Sequence, residues 1–327
     1  ERSKNHKLLS RDPWRPLLNR SIMGLYPPGS TFKTSQGLTF LTEGIITPQT
    51  LYPCSHGFNF KGLHVGCHGH GAPLALVQAL STSCNGYFCW GLYYMIGASG
   101  KYGTVQNAMN TWRDYMVSMG FGYQLGVDLP GEKRGLIPNA QFYDKAHTDK
   151  NGNVGRWNGL SIISISIGQG EVNLTPLQIA NLGATIANRG FFYTPHVVRK
   201  IKGGQLDKKY SERHYTKATK EAYEYVVQGM RSSVLGGTCH HANTPMYALC
   251  GKTGTAQNRG KDHSVFMGFA PMESPKIAIA VYVENGGFGA TFGVPIGALM
   301  IEQYINGKLS EGSMARASSL QSQHLSY

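Results

Sequence analysis

Apolar and polar positions divide the chain into a helix-rich first part and a strand-rich second part. Residues 32–46 are mostly apolar and follow a Pro-Pro-Gly break, a pattern that predicts a helix. Another helix is predicted after Thr175, because this residue suits an N-cap, Pro176 suits the first turn and Gln178 completes a capping box. That helix is expected to end before Gly190.

From residue 191 onward, strand-like runs become more frequent. The run at residues 264–270 is followed by a proline-containing turn and a second run at residues 276–284. Together with the run at residues 246–250, these two runs predict an antiparallel meander. The predicted strands cover residues 193–201, 246–250, 264–270 and 276–284, and the predicted helices of this part cover residues 221–234 and 295–305.

These elements predict a mixed α/β (α+β) fold, in which helices flank an antiparallel sheet and a mainly helical part lies beside it. A cleft between the two parts is the expected ligand site. Residues 147–155 are predicted to form a flexible loop. The predicted divisions of this one domain are an extended basic lead-in at residues 1–29, a mainly helical part at 30–190, a sheet-rich part at 191–307 and a mobile polar tail at 308–327.

Composition narrows the possible partners. The 327 residues are 41% hydrophobic, enough for a sizeable core, and the 42 glycines indicate a loop-rich protein. The 31 Lys and Arg outnumber the 18 Asp and Glu, and the net charge of +13 fits anionic cell wall or membrane headgroups. No nucleic-acid-binding signature accompanies this charge, so nucleic acid is not an expected partner. No run approaches the roughly 18 apolar residues of a membrane span, and the chain begins with no signal peptide.

Three short motifs in a fixed order carry the candidate chemistry. Taken singly, each also fits a bland structural role: a helix N-cap followed by a surface lysine, a polar helix end and a polar turn. The ordered set is instead typical of enzymes that acylate a serine. The motifs are Ser-Thr-Phe-Lys at residues 30–33, Ser-Cys-Asn at residues 83–85 and Lys-Thr-Gly at residues 252–254.

The first two motifs supply a nucleophile and groups that move protons. Ser30 opens a helix, where free backbone N–H groups favour a developing oxyanion. Lys33 lies one turn further on the same face, so its amine is expected to reach the Ser30 hydroxyl, and burial or a nearby cation would lower its pKa enough for it to act as a base. The Ser83 hydroxyl suits a proton relay, and the Asn85 amide can grip a substrate peptide bond.

The third motif suits recognition of a carboxylate. Lys252 carries a positive charge on a predicted strand, and the hydroxyl of Thr253 follows it directly. Gly254 leaves room for a ligand to lie along the backbone, and Thr255 adds a second hydroxyl.

Together these residues resemble the transpeptidase domain of class B penicillin-binding proteins, over roughly residues 18–305. Within that class the chain looks most like the elongation-type members, which cross-link peptidoglycan during cell lengthening. The matching segments are residues 24–33, 168–171, 175–178, 268–271 and 283–287.

The resemblance implies a β-lactamase/transpeptidase-like fold and a peptidoglycan D,D-transpeptidase. Ser30 would attack a D-Ala-D-Ala stem peptide and release the last D-Ala, and an amine of a neighbouring stem peptide would then resolve the acyl-enzyme. Lys33 would act as the base, Ser83 as the relay and Asn85 as the holder of the substrate amide. β-Lactam antibiotics would stop the enzyme at the acyl stage.

The same resemblance assigns the third motif and the cellular setting. Lys252 would supply positive potential, Thr253 and Thr255 would bind the carboxylate, and the N–H groups of Ser30 and Thr255 would form the oxyanion hole. No catalytic cofactor is expected. A membrane anchor, a pedestal and a first sheet strand are expected upstream of residue 1. The expected location is the periplasmic face of the bacterial inner membrane, beside a membrane glycosyltransferase of the elongation machinery.

Two other functions share the acylation residues. One is a serine hydrolase, either a D,D-carboxypeptidase or a β-lactamase. A class A β-lactamase holds its deacylating water on a glutamate, and no matching Glu-x-x-x-Asn segment is present; Glu171 is the nearest acid. The other is a β-lactam receptor without catalytic turnover.

Residues 54–84 contain an unusual density of metal-binding side chains. Three thiolates and one imidazole would make a closed tetrahedral zinc site, although the spacing is irregular. A disulfide between Cys54 and Cys67, or free thiols with scattered histidines, would explain the same residues. The candidate ligands are Cys54, His56, His64, Cys67, His68, His70 and Cys84.

The resemblance adds to the zinc interpretation. Some elongation-type members are thought to bind zinc through the middle residue of their Ser-x-Asn motif, which here is Cys84. His70 matches a Gly-His-Gly of the family, and Cys54 stands where some relatives have an aspartate. A structural zinc on Cys54, Cys67, His70 and Cys84 is therefore implied, with His56, His64 and His68 in reserve and with Cys89, Cys239 and Cys250 as ordinary buried thiols.

Overall fold

A three-stranded antiparallel sheet and the helices around it dominate the computed structural model, which describes residues 1–323. The strand order of this sheet is β5-β6-β7, and two short hairpins, β1–β2 and β3–β4, lie apart from it. The strands are β1 (Gly57–Phe60), β2 (Leu63–Gly66), β3 (Phe191–Tyr193), β4 (Arg213–Tyr215), β5 (Cys250–Ala256), β6 (His263–Ala270) and β7 (Ile277–Val283).

Twelve α-helices lie in the described part of the chain, joined by four short 3-10 turns, the first of which is Gly29–Phe32. The helices are α1 (Arg2–Arg11), α2 (Arg20–Met23), α3 (Lys33–Thr42), α4 (Leu76–Ser81), α5 (Asn85–Gly97), α6 (Ser99–Tyr102), α7 (Val105–Ser118), α8 (Ala140–Ala146), α9 (Pro176–Ala187), α10 (Lys220–Gly236), α11 (Gly293–Asn306) and α12 (Glu311–Gln321).

Two hydrophobic cores lie on opposite faces of the sheet. The larger core joins Met267 on β6 to Val226 on α10 and continues to Trp112 among the helices of the first part. The smaller core packs Phe266 of β6 against Val294 of α11. Successive strand residues point to opposite faces, so neighbours on β6 enter different cores. The predicted antiparallel sheet flanked by helices is confirmed.

Most of the predicted helices and the meander are present. The capping box of α9 forms as expected: the Gln178 N–H donates to Thr175 Oγ1 (3.1 Å), and the Thr175 N–H donates to Gln178 Oε1 (3.0 Å). The helices predicted at residues 221–234 and 295–305 lie within α10 and α11. The first meander strand lies further along the chain than the predicted run at residues 246–250. It extends from Cys250 to Ala256 and contains the whole Lys-Thr-Gly motif.

The strand predicted at residues 193–201 is wrong beyond its first residue. Strand β3 ends at Tyr193. Further on, the N–H groups of Val197 and Val198 donate to the two carboxylate oxygens of Asp128, at 2.8 and 2.9 Å. Backbone donors that a side chain occupies are not available to a strand ladder, and the strand-like composition of this run could not reveal the distant partner.

The two ends of the chain also differ from the prediction. The lead-in was predicted to be extended, but it contains α1 and α2; most residues of α1 are good helix formers and none is buried. The polar tail contains α12, and the Glu302 carboxylate holds it by accepting from the Ser310 N–H (2.7 Å) and the Ser313 hydroxyl (2.5 Å). The tail prediction also covers residues 324–327, which lie outside the described residues. The mobility of the tail and the division at residue 190 stay predictions.

Within residues 1–323, the helices are all too short or too polar to span a bilayer.

Candidate active site

Ser30 lies in the 3-10 turn before α3, at the wall of a cleft of about 830 Å³. Strand β5 approaches this turn closely because two glycines face each other across the contact. A Cβ on Gly29 would lie 2.7 Å from the Thr255 carbonyl oxygen, and a Cβ on Gly254 would lie 3.0 Å from that of Pro28. Gly254, predicted to make room for a ligand, therefore also makes room for the turn that carries Ser30.

A neighbouring loop supports both sides of this contact. The Gly29 N–H donates to the Gly168 carbonyl (3.0 Å), and the Gln169 side-chain amide donates to the Thr255 carbonyl (3.2 Å). Gly168 has φ +72°, and a Cβ there would lie 2.2 Å from the Gly29 carbonyl oxygen. The loop thus sets the position of the backbone next to Ser30.

Replacing Gly168 by alanine is expected to slow acylation of Ser30 and to lower stability by about 1–3 kcal/mol, because the new Cβ displaces Gly29 and occupies an unfavourable φ. Gly203→Ala is the matched control, since Gly203 has φ +74° with nothing within 4 Å of its Cβ position. Labelling rates with a fluorescent penicillin and thermal melts check both effects. Equal losses of labelling rate in the two variants would contradict the role of the Gly168 contact.

Lys33 is completely buried, and its amine points to the second motif. Its Nζ donates to the Ser83 carbonyl (2.7 Å) and to Asn85 Oδ1 (2.5 Å), and it lies 3.3 Å from Ser83 Oγ. The predicted spacing placed this amine near Ser30, which lies one turn earlier on the same segment. The structure directs the amine to Ser83 and Asn85, which it holds in place, and its reach to the Ser30 hydroxyl stays a prediction.

Lys252 reaches the same hydroxyl from the opposite side. It is also completely buried, and its Nζ donates to Ser83 Oγ (2.8 Å) and to the Thr253 carbonyl (3.1 Å). Ser83 has φ +59°, a conformation that costs free energy for a residue other than glycine and that its surroundings must enforce. The Ser83 hydroxyl therefore lies between two amines, as a proton relay requires.

Burial also adjusts the acidity of both amines. Burial lowers the pKa of Lys33 to about 8. Burial, together with the charge of Lys33, lowers the pKa of Lys252 to about 7. Because both amines contact one hydroxyl, they titrate as a pair, and near neutral pH a substantial fraction of the pair carries a single proton.

Thr238 is a cleft residue that the sequence analysis missed. The Thr253 hydroxyl donates to Thr238 Oγ1 (2.8 Å), and Thr238 Oγ1 lies 3.2 Å from Ser233 Oγ. The sequence signal for this residue was the pair of glycines directly before it, which indicates a close backbone approach. The structure shows that approach, since a Cβ on Gly237 would lie 2.3 Å from the Ser81 carbonyl oxygen. Thr238 thus orients the hydroxyl predicted to bind a carboxylate.

The predicted metal ligands converge beside this cleft. One donor atom from each of four residues lies within 4.8 Å of all the others, and Cys67 Sγ lies 3.3 Å from His70 Nε2. His70 Nδ1 lies 2.8 Å from the Gly71 carbonyl, a contact that keeps the proton on Nδ1 and leaves Nε2 free to bind a metal. The set fits tetrahedral zinc, which binds thiolates and imidazoles at about 2.0–2.3 Å. The four residues are Cys54, Cys67, His70 and Cys84.

The cluster is joined to the catalytic motif. Cys84 is the N-cap of α5, and its sulfur accepts from the Tyr87 N–H (3.3 Å). Cys67 Sγ accepts from the Asn85 N–H at 3.2 Å. Hydrogen bonds from the Cys84 thiol and from this N–H lower the pKa of Cys67. The same contact raises the pKa of Cys84.

Two of the reserve histidines contact groups outside the cluster. His64 Nδ1 lies 2.5 Å from Asn59 Oδ1, and His68 Nε2 lies 2.5 Å from the Thr82 carbonyl. No disulfide joins Cys54 to Cys67 in this structure, and Cys89, Cys239 and Cys250 are buried cysteines outside the cluster.

Comparison with known proteins gives clear sequence relatives. The profile of the penicillin binding protein transpeptidase domain matches residues 1–299. The peptidoglycan D,D-transpeptidase MrdA of Acinetobacter baumannii is 34% identical over 318 residues, which cover 88% of this chain and 44% of MrdA. The chain spans about half the length of the curated relatives it matches.

Solved structures agree with the sequence relatives. Pseudomonas aeruginosa PBP2 in complex with WCK 5153 has a TM-score of 0.78 and 28% identity, covering 94% of this chain and 66% of that one. A chain of a peptidoglycan synthase complex that coordinates polymerization and crosslinking has a TM-score of 0.77 and 28% identity, covering 94% and 51%. The predicted β-lactamase/transpeptidase-like fold and the resemblance to elongation-type members are confirmed.

Proposed function

This chain belongs to the penicillin-binding protein transpeptidase family, and we propose that it is a peptidoglycan D,D-transpeptidase that works through an acyl-enzyme on Ser30. One observation supports this proposal above all others. The Ser83 hydroxyl contacts both Lys33 and Lys252, at 3.3 and 2.8 Å, beside the cleft that Ser30 lines. Three motifs that are far apart in sequence thus form one site for acyl transfer.

The proposed roles follow from these contacts. Since Lys33 has the higher pKa of the two amines, its proton first passes through the Ser83 hydroxyl to Lys252. Lys33, now neutral, accepts the proton of the Ser30 hydroxyl as Ser30 attacks the penultimate D-Ala carbonyl, and Ser83 passes a proton to the leaving D-Ala amine. Asn85 keeps its side-chain amide on the Gly66 carbonyl (2.6 Å) and is thereby oriented toward the substrate peptide bond. The N–H groups of Ser30 and Thr255 stabilise the oxyanion, a contribution of roughly 3 kcal/mol for one donor.

Recognition of the donor peptide involves the third motif. Protonated Lys252 provides positive potential, and the hydroxyls of Thr253 and Thr255 bind the terminal carboxylate of D-Ala-D-Ala. β-Lactams carry a carboxylate in the corresponding place and acylate Ser30 without rapid release. We further propose that the protein works at the periplasmic face of the inner membrane with a glycosyltransferase partner, a setting supported by the synthase complex among its structural relatives.

The β-lactamase alternative receives no support from Glu171. Its carboxylate accepts a hydrogen bond from the Tyr143 hydroxyl at 2.9 Å. The Tyr143 ring in turn packs against Trp157, so this carboxylate has a structural partner that fixes Tyr143 beside the 168–171 loop.

The test is intact-mass analysis after mixing with a penicillin, followed over hours, together with a transfer assay that uses a polymeric stem-peptide substrate and an added amine. A stable single adduct on Ser30 with amine-dependent transfer is expected. Drug consumption without an adduct would identify a β-lactamase. Release of D-Ala to water regardless of amine would identify a carboxypeptidase, and an adduct without turnover of peptide would identify a receptor.

The acylation rate is expected to depend on pH as a bell-shaped curve. Below about pH 7 both amines of the Lys33–Lys252 pair are charged and no base is available, so the rate falls as pH decreases. Above about pH 8 both amines become neutral, the positive potential is lost and the rate falls again. Labelling rates from pH 5.5 to 10 check this, and a rate that does not change across the whole range would contradict the base assignment.

We also propose that Cys54, Cys67, His70 and Cys84 hold a structural zinc. The mutual approach of their donor atoms and the orientation of His70 support this site. A bound zinc would cross-link the segment that carries Cys54, Cys67 and His70 to the start of α5, and it would keep the cysteines as thiolates. The chain's own residues would then hold Cys84 in place, with Ser83 and Asn85 on either side of it.

A further inference from the structure

We propose that Cys67 is a peroxide-reactive residue that forms a disulfide with Cys84 and thereby stops acylation of Ser30. This inference rests on the proposed zinc site and on the proposed Ser30 chemistry. It concerns an oxidative modification site whose co-reactant is hydrogen peroxide or another small hydroperoxide.

Access distinguishes Cys67 from the thiols around it. Cys67 is half-buried and lines the cleft of about 830 Å³ that also contains Ser30. Cys84 is only 1% exposed, and the remaining cluster thiol, Cys54, is half-buried but is not part of the cleft wall. A small oxidant that enters the substrate cleft therefore meets the sulfur of Cys67.

The contacts of Cys67 hold its sulfur beside a second cysteine. The sulfur accepts from the Asn85 N–H at 3.2 Å and lies 3.3 Å from His70 Nε2, and a bound zinc would keep it deprotonated. A thiolate that is reachable from solvent and adjacent to a second thiol is the arrangement in which oxidation leads to a disulfide.

Cys84 is the partner that the geometry favours. The Asn85 N–H belongs to the peptide group that links Cys84 to Asn85, so Cys67 lies directly against the backbone of Cys84. The side chains of Cys54 and Cys84 both contact Cys67, so it is this backbone contact that distinguishes Cys84 as the partner. Their sulfurs lie within 4.8 Å, and a disulfide needs an approach to about 2.05 Å.

The chemistry balances with the peroxide alone. The Cys67 thiolate attacks one oxygen of hydrogen peroxide, which breaks the O–O bond and yields a sulfenic acid and hydroxide. The sulfur of Cys84 then attacks the sulfenic sulfur, which forms the S–S bond, and the thiol proton leaves with the displaced hydroxide as water. The two sulfurs lose two electrons and the peroxide gains them. A bound zinc would thereby lose two of its four ligands, Cys67 and Cys84, and would be released.

A disulfide between Cys67 and Cys84 would disturb the catalytic motif, because both cysteines contact or adjoin its residues. Asn85 donates its N–H to Cys67 and accepts from Lys33, and Ser83 and Asn85 are the residues on either side of Cys84. A disulfide sulfur is a weaker acceptor than a thiolate, and the approach of Cys67 to Cys84 displaces the backbone of the Ser83–Asn85 segment. Ser83, already held at φ +59°, then loses its position between the two lysines.

The experiment treats the zinc-loaded protein with stoichiometric hydrogen peroxide and follows three quantities. A chromogenic chelator reports free zinc, mass spectrometry of alkylated peptides reports disulfides, and a fluorescent penicillin reports the acylation rate. One zinc is expected to appear per Cys67–Cys84 disulfide, with a labelling rate lower by about tenfold or more. A dithiol reductant together with zinc should restore the rate.

Two variants make the result specific. In Cys67→Asp a carboxylate can replace the thiolate as a ligand but cannot be oxidised, so peroxide should leave both its zinc content and its own starting rate unchanged. Cys239→Ala removes a buried thiol outside the cluster and should respond to peroxide as the parent protein does. If Cys67→Asp fails to fold, the zinc and disulfide measurements on the parent protein still decide the question.

Several results would overturn the inference. Zinc that stays bound under peroxide, a bridge between Cys54 and Cys67, or a disulfide without loss of labelling would each do so. A protein without zinc before treatment would overturn it together with the metal proposal. Labelling of the untreated sample judges the Ser30 chemistry separately, so failure of the proposed function is distinguishable from failure of this inference.

Discussion

Ser30→Ala is expected to abolish covalent labelling by penicillin and to lower the acylation rate by at least about 10,000-fold, because the variant has no nucleophile at the wall of the cleft. Lys33, Ser83 and Lys252 cannot compensate, since their contacts are directed to one another and serve proton transfer. Intact-mass analysis after hours with excess penicillin measures the loss. The unfolding temperature should change little, because Ser30 is only half-buried.

The control for this prediction is Ser10→Ala, which makes the same chemical change on the exposed helix α1. It should retain a single penicillin adduct. An adduct that persists in Ser30→Ala, mapped to another residue, would refute the nucleophile assignment even if the family membership is correct.

Loss of the proposed zinc is expected to have the second largest effect. Chelation, or the substitution Cys84→Ser, should lower the unfolding temperature by roughly 5–10 °C, since a ligand that binds only the folded state at a concentration of 1,000 Kd contributes about 4 kcal/mol. The physical reason is that four residues from the segment 54–84, which precedes α5, are tied together through one ion. Differential scanning fluorimetry with and without chelator, beside metal analysis, measures the effect.

A thermodynamic comparison separates the metal from ordinary packing. Chelator should lower the unfolding temperature of the parent protein but should have no further effect on Cys84→Ser. Cys239→Ser, a buried cysteine outside the cluster, should keep its response to chelator. Fewer than one equivalent of zinc in both the native and the denatured parent protein would exclude the site.

The chemical identity of the candidate site was readable from the sequence because each motif is local. Ser30 and Lys33 belong to one turn, and the Lys-Thr-Gly motif belongs to one strand. The capping box of α9 was predictable for the same reason, since its two hydrogen bonds join residues three positions apart. The meander was predictable because its strands follow one another along the chain.

Predictions failed where a distant side chain decided the local conformation. Residues 194–201 contain several β-branched residues, as strands do, but the Asp128 carboxylate accepts from the N–H groups of Val197 and Val198. Thr238 was missed because nothing near it in sequence shows that Thr253 lies within hydrogen-bonding distance. The lead-in was interpreted from its charge, which does not prevent an exposed helix.

The sequence by itself determined which groups are available: a serine at a helix start, two lysines, a relay hydroxyl and a dense set of thiols and imidazoles. Only the tertiary structure decided their arrangement. It turned the Lys33 amine toward Ser83 and Asn85, put the Ser83 hydroxyl between two buried amines and brought four metal-binding atoms within 4.8 Å. The reason is that side-chain spacing along a helix or strand extends over one or two turns, whereas contacts across tens of residues depend on how the helices and the sheet pack around a shared core.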